Sequence, residues 1–384
     1  MNKSLIALAM GTFALGIAEF SMMGILNDVA SSLDVSVPRA GHFISAYALG
    51  VSLGALFLLF LRRYPLKAIL VGLAAMITVG NLCAALAPGY YTLLGARFLA
   101  GLPHGCYFGV GAIVAPKLVG PGRGATAVAV MVTGMTVANL IGVPAATAVS
   151  NLLSWRWTFA IVAIVGAFTL LAIRAWLPRL APLPPVANFK SQFGFLRHGA
   201  PWLILGGTFL GQGSVYTWFS YVNPVMTDVA GFSTDAMTWV MVVCGCGMVV
   251  GNLVSGRLTD RYAGGLVSGV IAIALVVVMP AIYFCAASKA ASLVLAFVAC
   301  AGLFGIGGPL QYMIVRFAKG GEMIGGAAIQ MAFNVSNAVS AMIGGAAIHA
   351  GLGLASPALV GVPMAVIAAV LLLTLHRRYR AQGA

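Results

Sequence analysis

The sequence predicts an all-α integral membrane fold: twelve transmembrane helices arranged as two six-helix bundles. Three observations carry this expectation. Of 384 residues, 61% are apolar and only 7% are charged, against roughly 25% charged in a soluble globular domain. Charge clusters and Pro/Gly turns cut the chain into twelve apolar segments, each near the ~20 residues that cross a hydrocarbon core of about 30 Å. Short motifs of the first half also recur in the second. An ordinary soluble enzyme is excluded.

In chain order the segments are 4–27, 41–61, 66–87, 91–115, 124–150, 156–177, 201–223, 236–256, 264–286, 291–316, 323–350 and 355–376. The first follows Met1–Lys3 as a secretory leader would. It runs on too long, lacks a credible cleavage site and contains Glu19, so it reads as a retained span. Glycine is abundant, 48 residues with no three-residue period, as suits helices that approach closely in lipid. Cys83, Cys106, Cys244, Cys246, Cys285 and Cys300 all lie in apolar runs without metal or redox spacing, and read as small core residues.

The formal charge of +14 would suggest nucleic acid as partner in a soluble protein, so the positions of the cations decide its meaning. With the N-terminus inside, Lys3, Arg62, Arg63, Lys67, Lys117, Arg123, Arg174, Arg179, Lys190, Arg197, Arg257, Arg261, Arg316, Lys319, Arg377, Arg378 and Arg380 fall on the cytoplasmic side. Only Arg39, Arg156 and Lys289 fall outside, and Arg97 stays within a span. This asymmetry predicts both termini in the cytoplasm. Asp28, Asp34, Asp228 and Asp235 lean outward. The lipid bilayer is therefore the expected partner, and nucleic acid is not.

The one long polar connection, with Pro178, Pro182, Pro184 and Pro185 at its start, divides the spans six and six. The expected domains are a bundle at 1–177, a cytoplasmic linker at 178–200 and a second bundle at 201–384. Gly11-Thr12-Phe13 recurs as Gly207-Thr208-Phe209, Arg63-Tyr64 as Arg261-Tyr262, Ile113-Val114 as Ile314-Val315 and Ile141-Gly142 as Ile343-Gly344. The offset drifts from 196 through 198 and 201 to 202, which argues for a duplicated six-helix unit of the kind found in rocking transporters.

Charges within a membrane cost about 2.5 to 3.5 kcal/mol each on insertion scales, so they face a cavity or a partner. The embedded charges here are Glu19 and Arg97. At 1.5 Å per residue they lie roughly 8 and 9 Å below the outer surface, at matching depth. An ion pair or a water-filled vestibule would accommodate them. A carboxyl whose proton affinity depends on its surroundings is suited to proton coupling; a static pair that only orients helices is the alternative. Arg97, Gly101, His104, Gly105 and Phe108 share one helical face. His104 either relays a proton or hydrogen-bonds substrate, or stays neutral on a backbone carbonyl. His42 and His349 stand at span ends and read as structural.

Gly134, Ala138, Gly142 and Ala146 recur every fourth residue, with Asn139 and Pro144 among them. That gives a smooth face for helix contact and a place to bend. In the second half Gln212, Tyr216, Phe219 and Asn223 make one polar helical face, and Gln330, Asn334 and Asn337 another. Amides facing lipid would be costly, so both faces look inward. Trp218, Tyr221 and Gln311 add surface there, and Tyr47, Tyr107 and Phe108 in the first half. Such a lining suits a neutral, hydroxyl-bearing or amphipathic ligand. The competing reading is amides that only tie neighbouring helices together.

The span count, the six-plus-six repeat and several motifs resemble the major facilitator superfamily. Gly256, Leu258, Asp260 and Arg261 resemble its loop motif between the second and third helix of a half. The first-half copy, Arg62-Arg63-Tyr64-Pro65-Leu66-Lys67, has Arg62 where Asp is expected. Arg97, Gly101 and Gly105 resemble the fourth-helix motif linked to proton transfer, and Gly134 through Pro144 the fifth-helix motif of antiporters. Trp155-Arg156-Trp157-Thr158-Phe159 is similar to a run found in exporters. Ala18-Glu19-Phe20, Ala40-Gly41-His42, Gly101-Leu102-Pro103-His104-Gly105, Thr136-Val137-Ala138-Asn139-Leu140 and Pro201-Trp202-Leu203-Ile204 look most like the arabinose-efflux-permease-like branch of its drug:proton antiporter group.

The resemblance implies the major facilitator fold in a bacterial inner membrane, with proton-driven export of sugars or drugs. Glu19, Arg97 and His104 would then couple protons. Arg63, Lys67, Asp260, Arg261, Gly134, Asn139, Gly142 and Pro144 would gate the pathway. No cofactor is expected beyond the proton as coupling ion, and a monomer suffices to form the pathway. Proton symport or facilitated uptake is the alternative transport reading. A transporter-like receptor is the alternative of another class. An enzyme is not expected: no paired carboxylates share a span, and neither a His–Cys cluster nor a Gly-rich phosphate loop is present.

Overall fold

The computed structural model describes residues 3–61, 64–120, 124–182, 189–259, 261–318 and 322–383. Arg63 and Asp260, two of the expected gating residues, lie outside the described residues. Helices fill nearly every apolar segment: α1 (Lys3–Gly24), a short α2 (Leu26–Ser32), α3 (Val37–Leu61), α4 (Leu66–Ala85), α5 (Tyr90–Lys117), α6 (Gly124–Val137), α7 (Val143–Leu152) and α8 (Trp155–Trp176). The second half follows with α9 (Gly199–Phe219), a single turn α10 (Val222–Pro224), α11 (Met237–Thr259), α12 (Gly264–Phe284), α13 (Lys289–Phe317), α14 (Glu322–His349) and α15 (Ser356–Gly383). No strand occurs among the described residues. Among the described residues ten helical stretches are long and apolar enough to cross a membrane by length and composition.

Two helix starts carry a serine cap. Ser154 opens α8 by accepting from the Arg156 amide, and Ser288 opens α13 by accepting from that of Ala291. The fifth predicted span is one apolar run in three pieces: α6, a π-helical turn over Ala138–Gly142, and α7. Pro144 has no amide hydrogen to bond four residues back, so the helix widens there. The seventh span differs more. The sequence predicts one helix to residue 223, but α9 ends at Phe219, and Tyr221 adopts φ −116°, ψ 20° before α10 and a π-helical turn at Val225–Val229. Gln212, Tyr216 and Asn223 therefore do not share one continuous helical face. The last helix also outruns its predicted end at 376, carrying Arg377 and Arg378 on helix to Gly383, with non-helical backbone at Tyr379.

The chain forms two compact units, one of residues 1–35 and 46–187, the other of 36–45 and 188–384. The change of unit at 187/188 falls within the predicted linker, and the first turns of α3 belong to the second unit. There the Ser45 hydroxyl donates to the Ala338 carbonyl at 2.8 Å, and Gly41 leaves room for the Tyr221 ring. Within the predicted linker Phe189–Arg197 forms a 3₁₀ helix, and the Trp202 indole donates to the Leu196 carbonyl at 2.8 Å.

Inside each unit the helices pack alike. In the first, α1 lies against α6 and α8, and α4 lies between α5 and α8. In the second, α9 lies against α14 and α15, and α12 lies between α13 and α15. Glycines permit the closest crossings. A methyl added at Gly50 or Gly54 would overlap the Phe98 or Leu102 carbonyl of α5, and one at Gly247 or Gly251 would overlap the Phe297 or Ala301 carbonyl of α13. The cysteines are free. Cys106, Cys244 and Cys300 are buried as expected, whereas Cys83 on α4 and Cys285, just past the end of α12, are exposed, where a weakly polar thiol costs little.

Candidate functional site

The first unit holds a buried cluster of ionisable groups on three helices. α1 contributes Glu19, α3 Tyr47, and α5 both Arg97 and His104; their exposures are 2%, 1%, 0% and 6%. The helices reach this proximity because Gly101 and Gly105 of α5 admit the backbone of α3 at Tyr47 and Val51. Two turns of α5 separate Arg97 from His104, so the two side chains meet different parts of α1.

The Arg97 Nη1 donates to the Ala18 carbonyl at 2.7 Å. Its guanidinium carbon lies 4.4 Å from the Tyr47 ring centroid and 5.3 Å from that of Phe159. A planar cation between ring faces is favourable when desolvated, and an ammonium would not reproduce both the stacking and the directed donor. Arg97 thus anchors on rings and on the carbonyl of Ala18, the residue before Glu19. The Glu19 Oε2 is 3.9 Å from His104 Nε2, an ion pair when the imidazole is protonated. Glu19 Oε1 is buried without a hydrogen-bond partner. On its other side the imidazole Nδ1 meets the Tyr47 hydroxyl at 3.0 Å, and its ring stacks on Phe108 at 5.2 Å. Carboxyl, imidazole and phenol form a line of exchangeable protons, with Arg97 as a fixed charge beside it.

The remaining residues of this unit have other surroundings. Tyr107, a predicted substrate contact, points its hydroxyl to the Ala7 and Leu8 carbonyls at 3.4 and 3.3 Å and fills the space left by Gly11. Tyr47, predicted as a substrate contact, lies in the ionisable cluster. Phe159, a wall for Arg97, was marked in the sequence only through its motif. The small face of the fifth span packs on α1: added methyls at Gly134 and Gly142 would meet Ala9 and Ile17. Thr12 supports this crossing by donating to the Met131 carbonyl at 2.6 Å. Asn139 is buried in the π turn with its Oδ1 unpartnered. Lys67 donates to the Leu177 carbonyl at the end of α8.

The second unit buries amides, hydroxyls and rings. Gln212 Nε2 donates to the Leu303 carbonyl at 3.1 Å, and Tyr216 meets Phe333 edge-on at 5.4 Å. Asn334 Nδ2 donates to the Gln330 carbonyl at 2.9 Å, while its Oδ1, the Asn337 Oδ1, the Ser340 hydroxyl and the Trp218 indole are buried without partners. Tyr221 donates to the Ala341 carbonyl at 2.7 Å, and Asn223 accepts from Thr227 at 3.0 Å through its carbonyl. Gln311 is half-buried on α13, near Gly326 of α14. Arg261 stands outside this group, in a cavity of about 510 Å³ with Thr259, Tyr262, Tyr312 and Arg316. No group of three or more His, Cys, Asp or Glu able to hold a metal occurs among the described residues.

Comparison with known proteins agrees with this architecture. The chain is 44% identical to AraJ of Escherichia coli (strain K12), covering 100% of this chain and 97% of that protein. It is 36% identical to the inner membrane transport protein YdhP of the same strain, covering 98% and 97%. The crystal structure of a nucleoside transporter, NupG, superposes with a TM-score of 0.79 over 97% of this chain and 99% of that one; at 11% identity this is a likeness of fold alone. The family model for the Major Facilitator Superfamily matches residues 8–328. This multi-pass membrane protein therefore belongs to the major facilitator superfamily, a family of transporters rather than enzymes.

Proposed function

We propose that the protein exports small neutral or amphipathic molecules, sugars or drugs, in exchange for protons by alternating access. One observation carries the reading: the acid buried in the first unit, Glu19, has an unpartnered oxygen and lies 3.9 Å from a histidine that is itself bonded to Tyr47. Glu19 is the proton carrier. His104 passes the proton or holds its charge, Tyr47 fixes the imidazole, and Arg97 keeps a positive charge beside the carboxyl whatever its protonation. A short rotation of either side chain closes the 3.9 Å gap to hydrogen-bonding distance. The buried amides and rings of the second unit, Gln212, Tyr216, Trp218, Asn334 and Asn337, are the substrate-binding surface; the unpartnered Oδ1 atoms of Asn334 and Asn337 and the Trp218 indole suit hydroxyl-bearing ligands.

Similarity to an inner membrane transport protein of Escherichia coli supports a bacterial inner-membrane location, and the cation asymmetry supports both termini in the cytoplasm. In liposomes carrying an imposed pH gradient, the Glu19→Gln protein is expected to lose substrate-coupled proton movement while still folding. Undiminished coupling would overturn the assignment of Glu19. Substrate moving in the same direction as the proton would overturn export in favour of symport.

A further inference from the structure

The sequence carries no Asp or Glu from residue 35 to residue 227, yet twelve Lys and Arg fall in that stretch. Their counter-charge must come from outside it. At one end of the first unit Lys67, Arg174 and Arg179 converge on a groove of about 570 Å³, together with Pro65, Ala68, Val71, Leu180 and Ala181. No carboxylate is among the described residues that line it. Where the family's loop motif would supply an acid, the chain has Arg62. Arg174 and Arg179 are exposed and make no ion pair among the described residues. The α8 terminus does not account for all three cations, because the Leu177 carbonyl already accepts from Lys67.

α4 begins at this groove after Pro65, with no side chain capping its first amides. A helix start of this kind favours an anion. One flank is cationic and the other apolar, through Val71 and Leu180, and the same end of the spans carries most of the chain's cations. Inorganic phosphate would use the first flank and gain nothing from the second. An anionic glycerophospholipid uses both, its phosphodiester on the cations and its acyl chain along the helix surface.

We propose that this groove is a binding site for the headgroup of an anionic phospholipid of the inner leaflet, with Lys67, Arg174 and Arg179 as its phosphate ligands. The test compares melting of the purified full-length protein in nanodiscs of phosphatidylcholine alone and with phosphatidylglycerol, and in phosphatidylcholine with inorganic phosphate. Phosphatidylglycerol is expected to raise the melting temperature by mass action, and inorganic phosphate to leave it unchanged. The double variant Arg174→Gln/Arg179→Gln should keep its melting temperature in phosphatidylcholine and lose most of the phosphatidylglycerol shift. Arg377→Gln/Arg378→Gln, which removes the same charge from the C-terminal helix, should retain the shift. Equal loss in both variants would reduce the effect to general surface attraction, and an equal shift with inorganic phosphate would remove the lipid; either result overturns the proposal. A double variant already destabilised in phosphatidylcholine is replaced by Arg179→Gln alone, for which a retained shift likewise overturns it.

Discussion

The two units share a scaffold and differ in what they bury on it. Gly50 and Gly54 meet Phe98 and Leu102 as Gly247 and Gly251 meet Phe297 and Ala301, which aligns α3 with α11 at an offset of 197 and α5 with α13 at 199. Gly16 faces Ala138 of the π turn as Gly213 faces Ser336 of α14, again at 197. Carried through these contacts, Glu19, Tyr47, Arg97 and His104 correspond to Tyr216, Cys244, Ala296 and Leu303. An ionisable quartet has a phenol, a thiol and two apolar residues as its counterpart. Among the described residues the second unit buries no charged side chain. The glycines that set helix spacing recur while the buried side chains differ, and under the proposed function proton handling would fall to one unit and neutral recognition to the other.

The common scaffold is the part most easily broken. Gly54→Val and Gly251→Val each drive a side chain into a carbonyl of the facing helix. Overpacking of this kind costs about 1–3 kcal/mol or more, a large share of a marginal stability. Both variants should lose most of their monodisperse peak in fluorescence-detected size exclusion, and to a similar extent. If only one loses it, the two crossings are not equivalent.

The glycine crossings were legible in principle and the quartet only in part. Gly50/Gly54 and Gly247/Gly251 repeat an i, i+4 spacing at an offset of 197, between the 196 and 198 of the first two motifs, but glycine is so common here that the pair did not stand out. Glu19 and Arg97 were evident because charge is rare in a span, and their matching depth followed from helix rise alone. Their partners did not follow. Which face of α3 meets α5 depends on close packing, so Tyr47 looked like any aromatic in a span rather than the link between His104 and Arg97. The break after Phe219 had no glycine to announce it; Pro224 follows five residues later, too far to fix where α9 stops.

Between the units, the functional contrast is sharpest at Tyr47. Tyr47→Phe keeps the ring under Arg97 and removes the hydroxyl that meets His104. One hydrogen bond is worth about 0.5–1.5 kcal/mol net, so coupled proton flux should fall roughly 2- to 10-fold with substrate affinity unchanged. Asn334→Ala in the second unit should do the reverse. It removes an unpartnered amide oxygen and is expected to raise the apparent KM by about 2- to 5-fold, a single imperfect hydrogen bond's worth, without altering the number of protons moved per substrate. An Asn334 variant with altered proton stoichiometry would erase the division of labour.

The smallest effect concerns the first unit's other half-buried acid, which asks whether a carboxylate there is costly in itself. Asp28 on α2 accepts from the Ser150 hydroxyl at 3.1 Å. Partial burial raises its pKa above the ordinary aspartate value, and the Ser150 hydrogen bond only partly offsets this. The folded protein therefore holds the Asp28 proton more tightly than the unfolded chain does. Stability from this group is greatest below the unfolded pKa and declines as pH rises through the window up to the raised folded value. Asp28→Asn can still accept from Ser150 and does not ionise. Its melting temperature relative to the parent should rise by a degree or so between pH 4 and pH 7, on the order expected for a few tenths of a kcal/mol in a chain of this size. A pH-independent difference would mean that Asp28 ionises freely in the folded protein, leaving Glu19 as the acid whose setting sets the first unit apart.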